Sequence, residues 1–256
     1  MIAGIEWAPK VTIIRQARGS DNWPLTWADW KFTTSFGCPT FLNFGRDYAG
    51  ARDDYVYLYS PDSDSAYEPA DRMILTRVPK HRLRERDACE YFVRLDTDGA
   101  PVWSKAIEQR GAVFGHPGRC YRSGVTYIAP IRRYLWVQIL PESRHPQGPR
   151  FQGGLGVYDA PEPWGPWTTV FFTEDWDVGP GETASLPPKW ISSDGLTVHL
   201  LFSGDDCFSV REATLVLHPQ PRTAGWESAV PPVGNRHDGS QLGFGAGLAH
   251  RLLLAD

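Results

Sequence analysis

Apolar and polar positions alternate in short runs along this chain, and clusters of Gly, Pro, Asn, Asp and Ser separate the runs. Residues 55–60 read YVYLYS, the two-residue period of a half-buried strand. An acidic turn over 60–64 and a second apolar run at 73–78 complete a hairpin. Residues 156–158 and 168–172 flank PEPWGPW, a Pro/Gly turn that fits neither helix nor central strand, and predict another hairpin. Residues 189–191, the turn Ser193-Asp194-Gly195 and the runs 197–202 and 208–217 follow. The stretch 156–217 therefore reads as short antiparallel strands within about sixty residues, the size of one propeller blade with one long loop. Strands are also expected at 11–14, at 134–139 and from Glu90 onward. Residues 79–92 are highly charged with few apolar anchors, and are the one stretch that favours a short surface helix or turn. After Leu217 no alternation returns until 252–254. A β domain over 1–217 and an atypical, poorly ordered tail over 218–256 are the expectation, a closing strand from 248–254 the alternative.

Several of these segments also resemble a family. YDAPEPWGPWTTV and PPKWISSDGLTVHLLFSGDDCFSVREATL are similar to the end of the bacterial proteins grouped as domain of unknown function 4185. The likeness runs upstream through GRCYRSGVTYIAPIRRYLW, LTRVPKHRLRERDACEYFVRLDTDGAPVWS and FLNFGRDYAGARDDYVYLYSPD to GSDNWPLTWAD, and so covers 7–217. It implies an all-β, five-bladed β-propeller of the arabinanase/sialidase-like type, with relatives among the endo-D-arabinanases of glycoside hydrolase family 183. Asp96-Thr97-Asp98-Gly99 ahead of Trp103 is like the aspartate-box turns of propellers, in which Trp packs between blades; a calcium loop would need a Glu at its twelfth position. One departure matters. After Asp29 the family's continuation is missing and the chain passes directly to Trp30, which implies an internal deletion of more than one blade's worth of strands. An incomplete ring of four blades, or with a partial fifth, is expected.

Composition narrows the function without fixing it. With 256 residues, 25 Gly, 22 Pro and 11 Trp against 2 Met, the chain has the turns and aromatic packing of a β protein rather than a helical bundle. A net charge of −4 argues against nucleic acid as a partner. No apolar run of membrane-spanning length and no signal peptide is visible, so the chain as written is expected in the cytoplasm, or secreted if its natural start lies upstream. A monomer is expected. The widely spaced Cys38, Cys89, Cys120 and Cys207 form no metal pattern and favour free, buried thiols over disulfides. No metal and no cofactor is called for: P-loop, Rossmann, Ser/His and zinc motifs are absent.

The resemblance points to a carbohydrate ligand, and glycoside hydrolysis needs two carboxylates flanking the bond, about 5–5.5 Å apart for retention or about 6.5–9.5 Å for inversion. Asp29, Asp47, Asp54 and Glu90 are the candidates. Asp54 reads first as a turn cap and Glu90 first as an edge residue; pointed into the pore, Glu90 would suit a general acid. Arg46, Tyr48, Arg119, Tyr121, Tyr127, Lys189 and Trp190 are candidate substrate contacts, because guanidinium, phenol and ammonium groups supply directional donors beside stacking faces. Glu182, in a loop ahead of Pro187-Pro188, is placed to reach a pocket. The resemblance implies a glycosidase-like propeller that acts on or binds a polysaccharide, with arabinan as the expected one; the alternative is a non-catalytic carbohydrate-binding protein or a truncated, inactive scaffold.

Overall fold

The computed structural model describes residues 1–18, 32–45, 48–141 and 150–219. Among them the chain forms β-strands joined by loops and short 3-10 turns, and no helix is long and apolar enough to cross a membrane. The all-β expectation holds. The strands are β1 (Ile2–Trp7), β2 (Ile14–Gln16), β3 (Thr40–Asn43), β4 (Tyr55–Pro61), β5 (Ala70–Pro79), β6 (Glu90–Leu95), β7 (Pro101–Ser104) and β8 (Ala112–Cys120). They continue as β9 (Ser123–Ile128), β10 (Arg133–Pro141), β11 (Gly153–Ala160), β12 (Thr168–Thr173), β13 (Ala184–Ser185), β14 (Thr197–Phe202) and β15 (Phe208–Leu217).

Pairing sorts these strands into antiparallel units. The first runs β3-β4-β5, after which the outer edge of β5 is shared by β8 and by the β6–β7 hairpin; the second runs β9-β10-β11-β12. The third is β13-β14-β15, closed by β1 and β2 from the other end of the chain, with Trp7 opposite Ala213 and Ile14 opposite Val210. The innermost strands lie side by side. β3 and β9 pair in parallel, Leu42 opposite Val125. Thr126 Oγ1 donates to the Leu186 carbonyl at 2.9 Å, and a side chain at Gly124 would meet the Ala184 carbonyl oxygen at 2.6 Å, so β13 runs beside β9 in the same sense. Antiparallel meanders fanning from parallel inner strands are propeller architecture, and the described residues carry three such units of an incomplete ring.

The first and second units are apolar on both faces, which is why alternation is weak in their centres, whereas β14 and β15 of the third alternate buried with more exposed positions. On β10, Tyr134 and Trp136 enter the core against the first unit, while Leu135, Val137 and Ile139 enter the core against the third. Trp136 is 0% exposed. A third cluster, with Leu58, Ile74 and Tyr91, is covered by Phe36 and Ile107.

Several expectations are corrected. Residues 156–217 are not one blade: β11 and β12 finish the second unit, and the chain then crosses to the inner position at β13. Residues 189–191 form no strand, since Pro187 and Pro188 open a 3-10 turn over Pro188–Trp190. The strand expected at 11–14 starts only at Ile14, after the 3-10 turn Lys10–Thr12. Residues 79–92 become two 3-10 turns, Lys80–Arg82 and Arg86–Ala88, before β6 starts at Glu90. In the β6–β7 turn, Asp96 Oδ1 accepts from the backbone amides of Asp98 and Ala100, and Gly99 takes φ +78°. Trp103 then packs edge-on against Tyr57, Phe92 and Trp164, the between-sheet role expected of it. The Asp29/Trp30 junction and the tail from 220 lie outside the described residues.

Candidate functional site at the mouth of the inner strands

Because β3, β9 and β13 run in the same sense, the loops that lead into them gather at one end of the molecule. The β4–β5 and β14–β15 loops, and the start of β11 with the described residues 150–152 ahead of it, reach the same end, since each lies two antiparallel reversals from an inner strand. Contacts across these loops make the gathering concrete. The Gly37 amide donates to Ser63 O at 2.9 Å, the Gly181 amide to Arg150 O at 3.1 Å, and the Glu182 amide to Ser203 Oγ at 2.8 Å.

Arg122, immediately before β9, is the hub of this mouth. Its Nε donates to Ala66 O at 2.7 Å in the first unit, and its Nη1 to Glu182 Oε2 at 2.6 Å in the third. The guanidinium carbon lies 4.6 Å from the Tyr67 ring centre and 5.5 Å from that of Tyr121. Burial works against the charge on Arg122, but Tyr121, Cys38 and Glu182 outweigh it and keep the group firmly protonated. Arg150 holds the other oxygen of Glu182 at 2.9 Å and reaches Asp206 at 2.8 Å. The Arg122 and Glu182 side chains are only 9% and 13% exposed, whereas Tyr67 is 75% exposed. Ser123 Oγ, at the head of β9, is buried without a partner among the described residues. Beside the network opens a polar cleft of about 420 Å³ lined in part by Lys10, Arg15, Gln152, Asp175, Asp177 and Asp205.

Carboxylates at this end are mostly bound to arginine. Arg211 holds Asp177 through both oxygens at 2.6 and 2.9 Å, and Arg15 holds Asp205. Asp62 accepts from Ser35, Arg72 and Arg110; burial pushes its carboxyl up, and these donors together pull it below the ordinary range. Only the Asp175 carboxylate, among the described carboxylates lining the cleft, has no side-chain base. No group of three or more His, Cys, Asp or Glu side chains gathers as a metal site among the described residues.

The residues nominated from sequence divide between the two ends. Tyr121 stands at the mouth, and Glu182 heads β13 there. Arg119, at the end of β8, pairs with Glu174, with its Nε 3.2 Å from Oε1. The others lie elsewhere. Asp54, before β4, is exposed and accepts from Lys80 Nζ at 2.6 Å. Glu90 is held by Arg77 at 2.8 Å, and that guanidinium lies 4.1 and 4.2 Å from the Tyr55 and Trp103 ring centres. Tyr127 is spent on packing against Phe44 and Tyr134, the second at 4.8 Å. Tyr48 is half exposed in the β3–β4 loop; Lys189 and Trp190 are exposed, and Trp190 O lies 2.8 Å from His199 Nδ1. Asp29, Arg46 and Asp47 lie outside the described residues. Among the described residues, then, Asp54 and Glu90 each serve a base of their own rather than a shared pocket.

Arg122, Arg150, Asp206 and Tyr67 are the mouth residues that sequence reasoning passed over. Arg122 sat in GRCYRSG next to the nominated Arg119, and only its position directly before an inner strand distinguishes the two. The thiols are free: Cys89 and Cys120 are buried, and burial pushes them up to about 11 and about 12, while Cys38 and Cys207 are half-buried.

No family model matches the chain, and a search of the curated proteins finds no match. Solved structures do align. An exo-β-1,3-galactanase from Phanerochaete chrysosporium aligns at 10% identity and TM-score 0.42, over 75% of this chain and 37% of that one. An exo-β-1,3-galactanase from Clostridium thermocellum aligns at 13% identity and TM-score 0.42, over 76% and 36%. A GH43_1 enzyme from Xanthomonas citri aligns at 13% identity and TM-score 0.32, over 65% and 51%. The chain thus spans between about a third and a half of the length of these enzymes. With TM-scores below 0.5 the likenesses carry no weight for activity, and the architecture rests on the strand pairing itself.

Proposed function

We propose that the chain is a glycosidase-like propeller that binds a polysaccharide at the mouth of its inner strands and does not hydrolyse it. The observation that carries this reading is the state of Glu182. It is the carboxylate at the head of an inner strand, and both of its oxygens are taken by guanidiniums, from Arg122 and Arg150. A general acid must hand a proton to the leaving oxygen, and a base or nucleophile must have a free lone pair. Clamped between two guanidiniums, Glu182 is tied into holding the mouth together rather than placed to move a proton or attack a sugar. What the mouth does offer is an exposed tyrosine ring, arginine donors and a polar cleft, the ordinary means of holding sugar rings and hydroxyls.

The family resemblance makes arabinan the polysaccharide to try first. The test is retardation of the full chain in gels containing D-arabinan, L-arabinan or β-1,3-galactan, run beside a reducing-sugar assay on the same three. Retardation by an arabinan without sugar release is expected, and Tyr67→Ala should abolish most of it while melting like the parent. Sugar release by the parent chain would restore catalysis and put the carboxylates outside the described residues, Asp29 and Asp47, in question first.

A further inference from the structure

We propose a second sugar site at the opposite end of the first unit, in a pocket of about 350 Å³ lined in part by Leu42, Phe44, Tyr48, Asp53, Tyr55 and Lys80, with a single neutral monosaccharide as its ligand. The pocket stands between the β3–β4 loop and the first residue of β4, far along the inner strand from Arg122, and does not depend on what the mouth binds.

The class of ligand follows from what the walls have left to give. Asp53 and Lys80 bring opposite charges, and each is already engaged: Lys80 donates to Asp54 at 2.6 Å, while Asp53 accepts the Tyr57 hydroxyl at 2.6 Å and the Tyr55 amide at 2.9 Å. An ion of either sign would therefore find no unbalanced counter-charge among the described lining residues. A hydroxyl can still use both groups, because an ammonium has three donors and a carboxylate about four acceptor positions. The phenol hydroxyls of Tyr48 and Tyr55 have no partner among the described residues and add two more groups that both donate and accept. Burial pushes the Tyr48 phenol up, so it remains a donor at neutral pH.

The rest of the lining is aliphatic or aromatic. A sugar ring has that same division, hydroxyls around its edge and a C–H face that packs on an aromatic ring. Size then selects one ring rather than a chain, since the pocket lies at the low end of the range of about 300–1,000 Å³ typical of ligand sites. Tyr55 is also held in place, with the Arg77 guanidinium 4.1 Å from its ring centre, so little ordering is left for the ligand to impose.

Saturation-transfer NMR on the full chain with D-galactose and L-arabinose tests the proposal. Transfer to the ring protons of at least one sugar is expected, with Kd weakened at least about fivefold by Tyr48→Ala and by Tyr55→Phe and unchanged by Tyr67→Ala. Tyr55→Phe removes only the hydroxyl and keeps the ring beside Arg77, so its effect is not a loss of fold; a thermal melt confirms that. Absence of transfer to both sugars overturns the site, as does transfer that Tyr67→Ala removes and Tyr48→Ala leaves intact. Polysaccharide retardation that depends on Tyr67 and not on Tyr48 separates the two proposals, so either one fails alone.

Discussion

The two ends of the molecule tie its units together in different ways. At the mouth the ties are several and partly wet: Arg122 joins the first, second and third units, and Arg150 links the second to the third through Glu182 and Asp206. At the far end Arg52 pairs with Glu162 to join the first unit to the second, and one buried carboxylate joins the second to the third. Asp159, at the close of β11, is 0% exposed; it takes Arg133 through both oxygens at 2.7 and 2.8 Å and the backbone amide of Ile2 at 2.9 Å. That last bond fixes the first strand of the chain to the second unit while β1 completes the third. The difference teaches where exchangeable chemistry belongs. Water-reached ion pairs are individually weak and can trade partners with a ligand, whereas a desolvated, fully bonded carboxylate cannot give up a bond without leaving a buried charge.

Breaking the buried tie is the largest effect expected. Asp159→Ala leaves the Arg133 guanidinium without its partner and Ile2 without its acceptor, and removal of one member of a buried pair costs about 3–5 kcal/mol. For a domain of this size that is a drop of at least about 6 °C in Tm. Thermal and urea melts of the variant check it, and a loss below about 1 kcal/mol would show that the far end is as exchangeable as the mouth.

A smaller effect sharpens the same contrast through pH. Asp62 sits at the mouth, and although burial pushes its carboxyl up, Ser35, Arg110 and Arg72 hold it below the ordinary value overall. A carboxylate whose folded pKa is depressed adds stability above its unfolded value, about 3.9, and that stability is lost as pH falls through the folded value. The parent chain should therefore lose Tm between about pH 5 and about pH 3 more steeply than Asp62→Asn, which has no proton to take up there. Parallel slopes in a melt series would mean that the mouth arginines do not hold Asp62 in solution.

Much of the fold was legible because its signals are local. The YVYLYS run and the PEPWGPW turn became β4 and the β11–β12 hairpin, and the Asp96–Gly99 turn set Trp103 between the first and second units. Grouping failed where it depended on distance along the chain. Strands 156–172 and 197–217 look like one blade because they are consecutive, but β14 pairs with a two-residue strand too short to announce itself, and β15 is closed by residues from the other terminus. The site was less legible still. Tyr121 and Glu182 were nominated and lie at the mouth, but an arginine's partners come from three units, and nothing near Arg122 in sequence states that Ala66 and Glu182 converge on it. Glu90 was nominated as an acid turned into the pore and Tyr127 as a phenol donor, but both are spent on packing: Arg77 between Tyr55 and Trp103 holds the first, and Phe44 with Tyr134 surrounds the second.

The smallest expected effect concerns Asp54, which sequence reasoning nominated for catalysis. Its carboxylate lies in solvent, bonded to Lys80 Nζ, and that donor together with the charge of Lys80 holds its carboxyl below the usual aspartate range. Exposed pairs of this kind are screened by salt and spend side-chain freedom to form, so their net contribution is commonly too small to measure. The backbone bond from the Lys80 amide to Asp54 O, at 2.8 Å, fixes the turn and survives any change of side chain. Asp54→Asn should accordingly leave the melting curve and polysaccharide retardation unchanged, and should weaken monosaccharide binding less than Tyr48→Ala does, since Lys80 keeps its place beside Asp53. A loss of polysaccharide retardation in this variant, with the melt unaltered, would move the polysaccharide site from the mouth to the far end and reverse the assignment of the two ends.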